Sequence, residues 1–452
     1  MLEITILAAG KGTRMRSNLP KVLHTLAGKP FLQHVLDRAE ELGSKSTSVI
    51  VGHGAEAVRE AVESENINFV EQLEQLGTGH AVLQAVPHLH DDAIVLILYG
   101  DVPLIATETL QRLTEVVNEN TLGLLTVNLD EPTGYGRIVR NEAGEVVAIV
   151  EQKLASDEQL EIKEVNTGVM AVKVKDLQRW LPALSDDNAQ KEYLLTDIIE
   201  MANNEGKDIV TAQPSEEYEV LGVNNRVQQA ELERIYQGKI ASNLLEKGVT
   251  LMDPQRFDCR GTLTTGKDCV IDVNCVFEGD VVLGDGVSIG PNCHITDTEI
   301  ASNVEIKSHS VLEGAKVGNH VAVGPFARLR PKAALGDHAK VGNFVEIKKS
   351  NIGENSKVSH LSYIGDAEVG DNVNIGAGTI TCNYDGVNKF VTTVGDGVFV
   401  GSNTSLVAPV SLGENVTVAA GSVVTIDVNE DALAVARSRQ RNIDGWVRPT
   451  KK

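Results

Sequence analysis

"VGNHVAVGPFARLRPKAALGDHAKVGNFVEI", residues 317–347, places an aliphatic side chain at every sixth position: Val317, Val323, Leu329, Leu335, Val341 and Ile347. A strand alternates with a period of two and a helix with 3.6, so a period of six belongs to neither alone. It fits a unit of one short strand and one turn, three of which close a coil whose aliphatic side chains stack on those of the next coil. The residue after the aliphatic is often Gly, as in "LGDHAK" and "VGNFVE", and the fifth is small or branched. Outward from this stretch, the period runs from Ile271 to Ile375 with only four steps shortened to five residues, and it resumes from Val394 to Val424. The C-terminal half therefore reads as a hexapeptide-repeat β-helix. Between the two runs lies "GAGTITCNYDGVNKFVTT", residues 376–393, which lacks the pattern. It reads as an irregular coil or as a protruding loop, and non-repeat residues in such an array are where function tends to lie.

The N-terminal half has a different rhythm. "STSVIVGH", "DAIVLILYGD", "LGLLTVNL" and "VNTGVMAVKV" read as strands, and "PFLQHVLDRAEEL" and "ETLQRLTEVVNEN" as amphipathic helices. Such alternation predicts an α/β domain with a mainly parallel sheet, whose ligands collect at the carboxyl ends of the strands. "NNRVQQAELERIYQGKIASNLLEKG", residues 224–248, predicts a long helix closed by glycine, a connector between the halves. The first strand runs straight into "LAAGKGTRMRSNLPKVL", residues 7–23. Gly10 and Gly12 free the backbone there, and Arg14 and Lys21 bring charge, so the loop can cradle a phosphate. The spacing matches neither common phosphate-loop fingerprint, and an ordinary strand-to-helix turn is the alternative.

Composition narrows the partners. The 452 residues carry a net charge of −22, with 42% hydrophobic residues. Two or three domains with sizeable cores are expected, and long-range repulsion disfavours nucleic acid and anionic membranes. The start "MLEITILAAG" lacks a basic leader, and no apolar run approaches the roughly 18 residues that span a bilayer, so a cytoplasmic location is expected. Five cysteines without CxxC spacing argue against a disulfide framework or a zinc site. They read as reduced thiols, four of them packing residues.

The motifs together resemble a known family. "LAAGKGTRMRSNLPK", "EQLGTGHA", "LYGDVPL", "TGYGR", "EQK", "VNTG" and "GVNNR" are followed by "GPFARLRP", "VGNFVEIKKS", "SHLSYIGDAEVGDNVNIGAGTITCNYDG" and "VGSNTSLVAP". This order is similar to that of the bacterial bifunctional enzymes that join N-acetylglucosamine-1-phosphate uridylyltransferase to glucosamine-1-phosphate N-acetyltransferase. The resemblance covers essentially the whole chain. It implies a Rossmann-like nucleotidyltransferase domain over 1–226, a linker helix over 227–247 and a left-handed parallel β-helix acetyltransferase domain over 248–452. It also implies a homotrimer that acetylates glucosamine-1-phosphate with acetyl-CoA, then transfers UMP from UTP with Mg²⁺, feeding peptidoglycan and lipopolysaccharide synthesis.

By the same resemblance, Leu7, Ala8, Ala9 and Gly10 lie along the nucleotide, and Arg14 and Lys21 act on its phosphates. Gln72, Gly77 and Thr78 meet the uracil. Tyr99, Gly100 and Asp101 end a strand, and Asp101 and Asn224 hold Mg²⁺. From the residues alone, Asp101 would be a turn residue and Asn224 a helix N-cap. Gly136, Glu151, Asn166 and Asn224 match contacts to sugar and nucleotide.

In the repeats, Arg330 and Lys348 each follow a core aliphatic and lie one coil apart, about 4.8 Å in strand spacing. Two bare cations so placed suit a bridging anion such as a sugar phosphate, or else form a solvated stripe. His360 occupies an outward third position in its hexad. His309, His320 and His338 also point outward, and the match to "SHLSY" is what selects His360 as the general base. Tyr363 and Asn374 join Arg330 and Lys348 on the sugar phosphate, while Ala377, Asn383, Tyr384, Ser402, Ala420 and Arg437 match the acetyl-CoA side. Two rivals remain: a sugar-nucleotide pyrophosphorylase of other specificity with a structural β-helix, and a non-catalytic nucleotide-sugar sensor.

Overall fold

The computed structural model describes residues 1–62, 66–188 and 191–451. It separates into two compact units, Met1–Tyr236 and Gln237–Lys452. The division falls inside the long helix Arg226–Glu246. Its first half contributes Leu232 to a cluster with Met15, Leu26 and Phe31, and its second half contributes Ala241 and Leu244 to the core of the repeats. The helix expected as a connector is thus shared by the two cores. Gly248, at φ +89°, follows its end.

The first unit is built on β1 (Leu2–Leu7), β2 (Thr47–Val51), β3 (Ile67–Glu71), β4 (Ile94–Tyr99), β5 (Thr121–Asn128), β6 (Arg137–Arg140), β7 (Val146–Val150), β8 (Glu164–Lys173) and β9 (Asp208–Ala212). Their order across the sheet is β9-β5-β8-β4-β1-β2-β3, with the β6–β7 hairpin attached to β8. All neighbours along this path are parallel except β8, which runs antiparallel to both β4 and β5. The expected helix over 108–120 stops earlier, at Thr107–Glu115. Asn118 Oδ1 accepts the backbone N–H of Asn120, and this local bond turns the chain into β5.

The second unit is a parallel β-helix. Along one face the inward aliphatics are Cα partners coil after coil, in the series Ile271, Ile289, Ile306, Val323, Val341, Val358, Ile375, Val400 and Val418. Three residues after most of them the chain takes a left-handed turn, at Asn274, Asn292, His309, Phe326, Phe344, Leu361 and Asn403. At 342, directly after Val341, the close stacking requires glycine: a Cβ there would sit 1.9 Å from the Ser359 carbonyl oxygen of the next coil.

The irregular segment 376–393 proves to be both alternatives at once. Ile380–Cys382 continues the ladder, placing Thr381 beside Leu406, and the chain then swings out from Asn383 to return at Thr392–Val394. A bridge between Tyr384 and Lys389 closes the excursion. Cys259, Cys269, Cys275 and Cys293 are buried, Cys382 is half-buried, and all five are free thiols. Among the described residues no helix is long and apolar enough to cross a membrane.

Candidate active sites

Leu7 and Tyr99 are register partners at the carboxyl ends of β1 and β4, so two loops leave the sheet side by side. Above them opens a cavity of about 290 Å³. Leu7, Ala8, Ala9 and Gly10 line it together with Lys21, Gln72, Gly77, Thr78, Tyr99 and Asp101. Gly100 sits behind, where a Cβ would press to 3.1 Å on Val22. Two further lining residues, Gln75 and Glu192, carried no signal in the sequence. Gln75 holds the glycine loop in place by donating from Nε2 to the Ala9 carbonyl at 2.6 Å.

At one side of the cavity four residues from three separate stretches of the chain converge. The Lys21 ammonium is paired with the Asp101 carboxylate, and it donates to Asn224 Oδ1 at 3.0 Å. Arg14 Nη2 donates to the same oxygen at 2.9 Å. Asn224 is free for this because the helix is capped by its neighbour: Asn225 Oδ1 accepts the N–H groups of Val227 and Gln228 at 2.9 and 3.0 Å. The N-cap reading of Asn224 is therefore corrected to Asn225. Asp101 and Asn224 turn two hard oxygen donors toward one cation, here the Lys21 ammonium. One carboxylate and one amide oxygen fit Mg²⁺, which binds through few protein oxygens and completes its shell with water and phosphate. Among the described residues no group of three or more His, Cys, Asp or Glu side chains could hold a metal ion.

Gly136, Glu151 and Asn166 form a second group. The Asn166 N–H donates to the Gly136 carbonyl at 2.9 Å, and a Cβ on Gly136 would lie 3.5 Å from Glu151 Oε1. β8 shifts register between Asn166 and Met170. Within that bulge Gly168, at φ +85°, leaves room for the Tyr99 ring, which would come within 2.5 Å of a Cβ. Burial, and then the charge of Asp197, push the Glu151 carboxyl above its ordinary range. Burial also raises the Tyr99 phenol, with Asp101 and Glu151 adding to the effect, so Tyr99 stands within the field of both groups.

In the β-helix the residues expected to serve acetyl transfer sort onto two corners. His360, Ala377, Ser402 and Ala420 each follow an inward aliphatic by two residues, at Val358, Ile375, Val400 and Val418, which are successive register partners. They make one column along a single corner. Asn374 lies on the same face, and Arg437 Nη1 donates to the Ala420 carbonyl at 2.8 Å. Asn343 is the register partner of His360, and its Oδ1 lies 2.6 Å from the ring Nδ1. His309, His320 and His338 differ from His360 in being turn apices with left-handed backbone; His320 and His338 stack on each other at 4.9 Å.

Lys348 and Gly365 are partners at the far end of the strand Tyr363–Gly365. The Tyr363 hydroxyl lies over Gly365, where it would come within 2.3 Å of a Cβ. The sequence reading of two bare cations is corrected: each is paired with an acid. Arg330 Nη1 pairs with Glu346 Oε1 at 2.9 Å, and Lys348 Nζ with Asp366 Oδ2 at 3.2 Å. Asn383 Nδ2 donates to the same Asp366 oxygen at 2.6 Å and reaches the Tyr363 hydroxyl at 3.4 Å. Burial pushes the Asp366 carboxyl up, but bonds from Lys348 and Asn383 and the charge of Lys349 outweigh it, so the acid stays below its ordinary range. Tyr384 is exposed on the excursion, its hydroxyl donating to the Gly386 carbonyl at 2.5 Å. Asp366 and Lys389, which meets Lys348, escaped the sequence reading.

The MobA-like NTP transferase domain family matches residues 4–251. The GMPPB C-terminal domain matches 259–341, and the hexapeptide repeat of succinyl-transferase matches 391–425. Over its entire length the chain is 64% identical to the bifunctional protein GlmU of Saccharophagus degradans, across 452 residues and 100% of both proteins. The chain belongs to the GlmU family. The GlmU proteins of Cellvibrio japonicus and Marinobacter nauticus are 60% and 59% identical, covering 100% of this chain and 100% and 99% of theirs. As a GlmU family member the protein is an enzyme of UDP-N-acetylglucosamine biosynthesis, a uridylyltransferase and an N-acetyltransferase. Its substrates fall into three classes: sugar phosphate, nucleotide and acyl-CoA. Full-length membership sets aside the pyrophosphorylase of other specificity and the non-catalytic sensor.

Proposed function

We propose that UTP and N-acetylglucosamine-1-phosphate meet in the cavity over β1 and β4, and that the sugar-phosphate oxygen attacks the α-phosphorus there. The convergence of Arg14, Lys21, Asp101 and Asn224 carries this reading. Both reactants are anions, so the barrier yields to positioning and neutralisation and needs no protein nucleophile. Arg14 and Lys21 offset the charge of the leaving pyrophosphate. Mg²⁺, held by Asp101 and Asn224, supplies screening of the phosphates when bound. Gly136, Glu151 and Asn166 hold the sugar, and Gln72, Gly77 and Thr78 hold the base.

For acetyl transfer, His360 is the base. An amide oxygen only accepts, so the bond to Asn343 Oδ1 puts the ring proton on Nδ1 and leaves the Nε2 lone pair open. Nε2 takes a proton from the amine of glucosamine-1-phosphate, the nitrogen attacks the thioester carbonyl of acetyl-CoA, and the thiolate leaves and is protonated. Arg330, Lys348, Tyr363 and Asn374 hold the sugar phosphate. Ala377, Ser402, Ala420 and Arg437 extend along acetyl-CoA, with Asn383 and Tyr384 beside it.

The protein acts as a homotrimer in the cytoplasm. Phe326 and Phe344 sit at left-handed turns, at φ 55° and 57°, where Asn or Gly would be cheaper by about 1–2 kcal/mol. They stack at 5.3 Å, and Phe326 stacks on His309 at 4.8 Å. With Leu361 they form an apolar ladder next to His360 that remains 47 to 63% exposed. Neighbouring prisms can cover it and wall the site.

Product masses after incubation with glucosamine-1-phosphate, acetyl-CoA, UTP and Mg²⁺ test the scheme. The intact protein should yield UDP-N-acetylglucosamine, and Asp101→Ala should stop at N-acetylglucosamine-1-phosphate. Unchanged UTP consumption by Asp101→Ala at limiting Mg²⁺ would refute the metal assignment.

A further inference from the structure

The side-chain amide of Gln72 is turned by its neighbours. Gln72 follows β3 and is 4% exposed. Its Nε2 lies 3.1 Å from the Gly77 carbonyl oxygen and 3.1 Å from Nδ1 of His80. A carbonyl oxygen can only accept, so the atom facing Gly77 is the nitrogen, and its second hydrogen points to His80 Nδ1, which must present a lone pair. Both amide hydrogens are then used within the protein. Oε1 is the atom left for the cavity that Gln72 lines. The ring proton of His80 then sits on Nε2, 3.1 Å from the side-chain amide of Gln84, whose nitrogen gives up its longer, 3.3 Å bond to the His80 carbonyl to turn the amide oxygen toward the ring.

The Gly77 carbonyl is itself held. Tyr193 N–H donates to the Leu76 carbonyl and Gly79 N–H to the Tyr193 carbonyl, both at 2.8 Å. Leu195 N–H donates to Thr78 Oγ1 at 3.1 Å. Gly77 has φ +117°, and a Cβ there would meet the Tyr193 carbonyl oxygen at 2.5 Å. With this loop pinned, the Gln72 amide is held at two points, the fixed Gly77 carbonyl and the side chain of His80.

We propose that His80 is a specificity-determining positioning residue: it fixes Gln72 so that a hydrogen-bond acceptor faces the base of the nucleotide. A pyrimidine with an N–H between two carbonyls, the uracil edge, satisfies that acceptor. A cytosine edge places its own acceptor nitrogen at the same point and leaves both groups unpaired, which a buried site penalises strongly. The inference rests on Gln72 meeting the base, as proposed above.

The test is the ratio of kcat/KM for UTP to that for CTP, measured on the full-length protein with N-acetylglucosamine-1-phosphate and Mg²⁺. His80→Ala removes one of the two bonds that orient the amide, and the ratio should fall about tenfold, the factor that corresponds to one hydrogen bond of about 1.4 kcal/mol. KM for N-acetylglucosamine-1-phosphate and the rate of acetyl transfer should stay at their original values, reporting an intact fold. His80→Asn places an acceptor oxygen near the Nδ1 position and should restore the ratio. Gln72→Ala separates the two levels of the reading. If it collapses the ratio while His80→Ala preserves it, the role of His80 is overturned. If Gln72→Ala leaves the ratio unchanged, the base contact fails and the role of His80 falls with it. In the Gln72→Ala background, adding His80→Ala should change the ratio no further.

Discussion

The Asp366 carboxylate, 4% exposed at a corner of the β-helix, lies 3.2 Å from the Lys348 ammonium. The same oxygen accepts a 2.6 Å bond from Asn383, so one buried acid aims a residue of the proposed sugar-phosphate site and one beside the proposed acetyl-CoA site. Asp366→Asn keeps the size and removes the charge. KM for glucosamine-1-phosphate should rise about tenfold, as expected for losing a hydrogen bond to a charged group, with a much smaller change in kcat. Initial-rate measurements across sugar-phosphate concentration decide it, and an unchanged KM contradicts the role.

His360→Ala should nearly abolish acetyl transfer, by ~10²- to 10⁴-fold as for other positioned bases, and leave UTP turnover intact. Asn343→Ala should cause a smaller loss, expressed in kcat, because the imidazole keeps its chemistry but loses the bond that sets its tautomer. His338→Ala, at a turn apex stacked on His320, should do little. Thiol release from acetyl-CoA follows all three; equal losses at His338 and His360 would mean the wrong base.

Phe344→Asp should dissociate the proposed trimer and lower acetyl transfer. Aspartate tolerates left-handed backbone better than phenylalanine, so the fold of the coil should persist. Sedimentation velocity reports the mass, and an active monomer of the unsubstituted protein would refute the assembly.

The Glu3 side chain is fully buried at the start of β1, where it accepts bonds from Ser46 Oγ at 3.0 Å and from the His90 N–H at 2.8 Å, with the His90 ring at 2.7 Å. Burial raises its carboxyl, but these bonds outweigh burial and hold it below the ordinary 4.5. Its stabilisation is therefore fully present above pH 4.5 and drains away as pH falls through the lower folded-state value. Glu3→Gln should destabilise the first unit at pH 7 by on the order of 1–3 kcal/mol, and the gap should close in acid. Denaturant midpoints at pH 7 and below pH 4 measure both, and a gap independent of pH contradicts the ionised reading.

The repeats were legible because a six-residue period is a local signal that packing reinforces at every coil. The column holding His360 was also within reach: His360 is third in its hexad, whereas His309, His320 and His338 are fourth, at the turn apex. The sequence reading treated all of them simply as outward. Other features had no local signature. The antiparallel run of β8 leaves its apolar pattern unchanged, since strand direction does not alter alternation. The meeting of Lys21 with Asp101 and Asn224 spans 80 and 203 residues of chain, and no spacing rule reaches so far. Asp366 hides at a shortened step, where the left-handed turn comes one residue early, and reads as an ordinary turn aspartate.

The column of His360, Ala377, Ser402 and Ala420 works as a ruler. Each coil advances it by one strand spacing, about 4.8 Å, so distance from the imidazole of His360, the proposed base, is graduated in whole coils. The coil from Ile375 to Val400 takes 25 residues where that from Val358 to Ile375 takes 17, yet the graduation is undisturbed, because the surplus leaves the wall as the excursion after Asn383. Length along the ruler and equipment beside it can therefore vary independently: loops can be lengthened or exchanged without moving a mark, whereas one inserted coil would shift every mark beyond it by the same step.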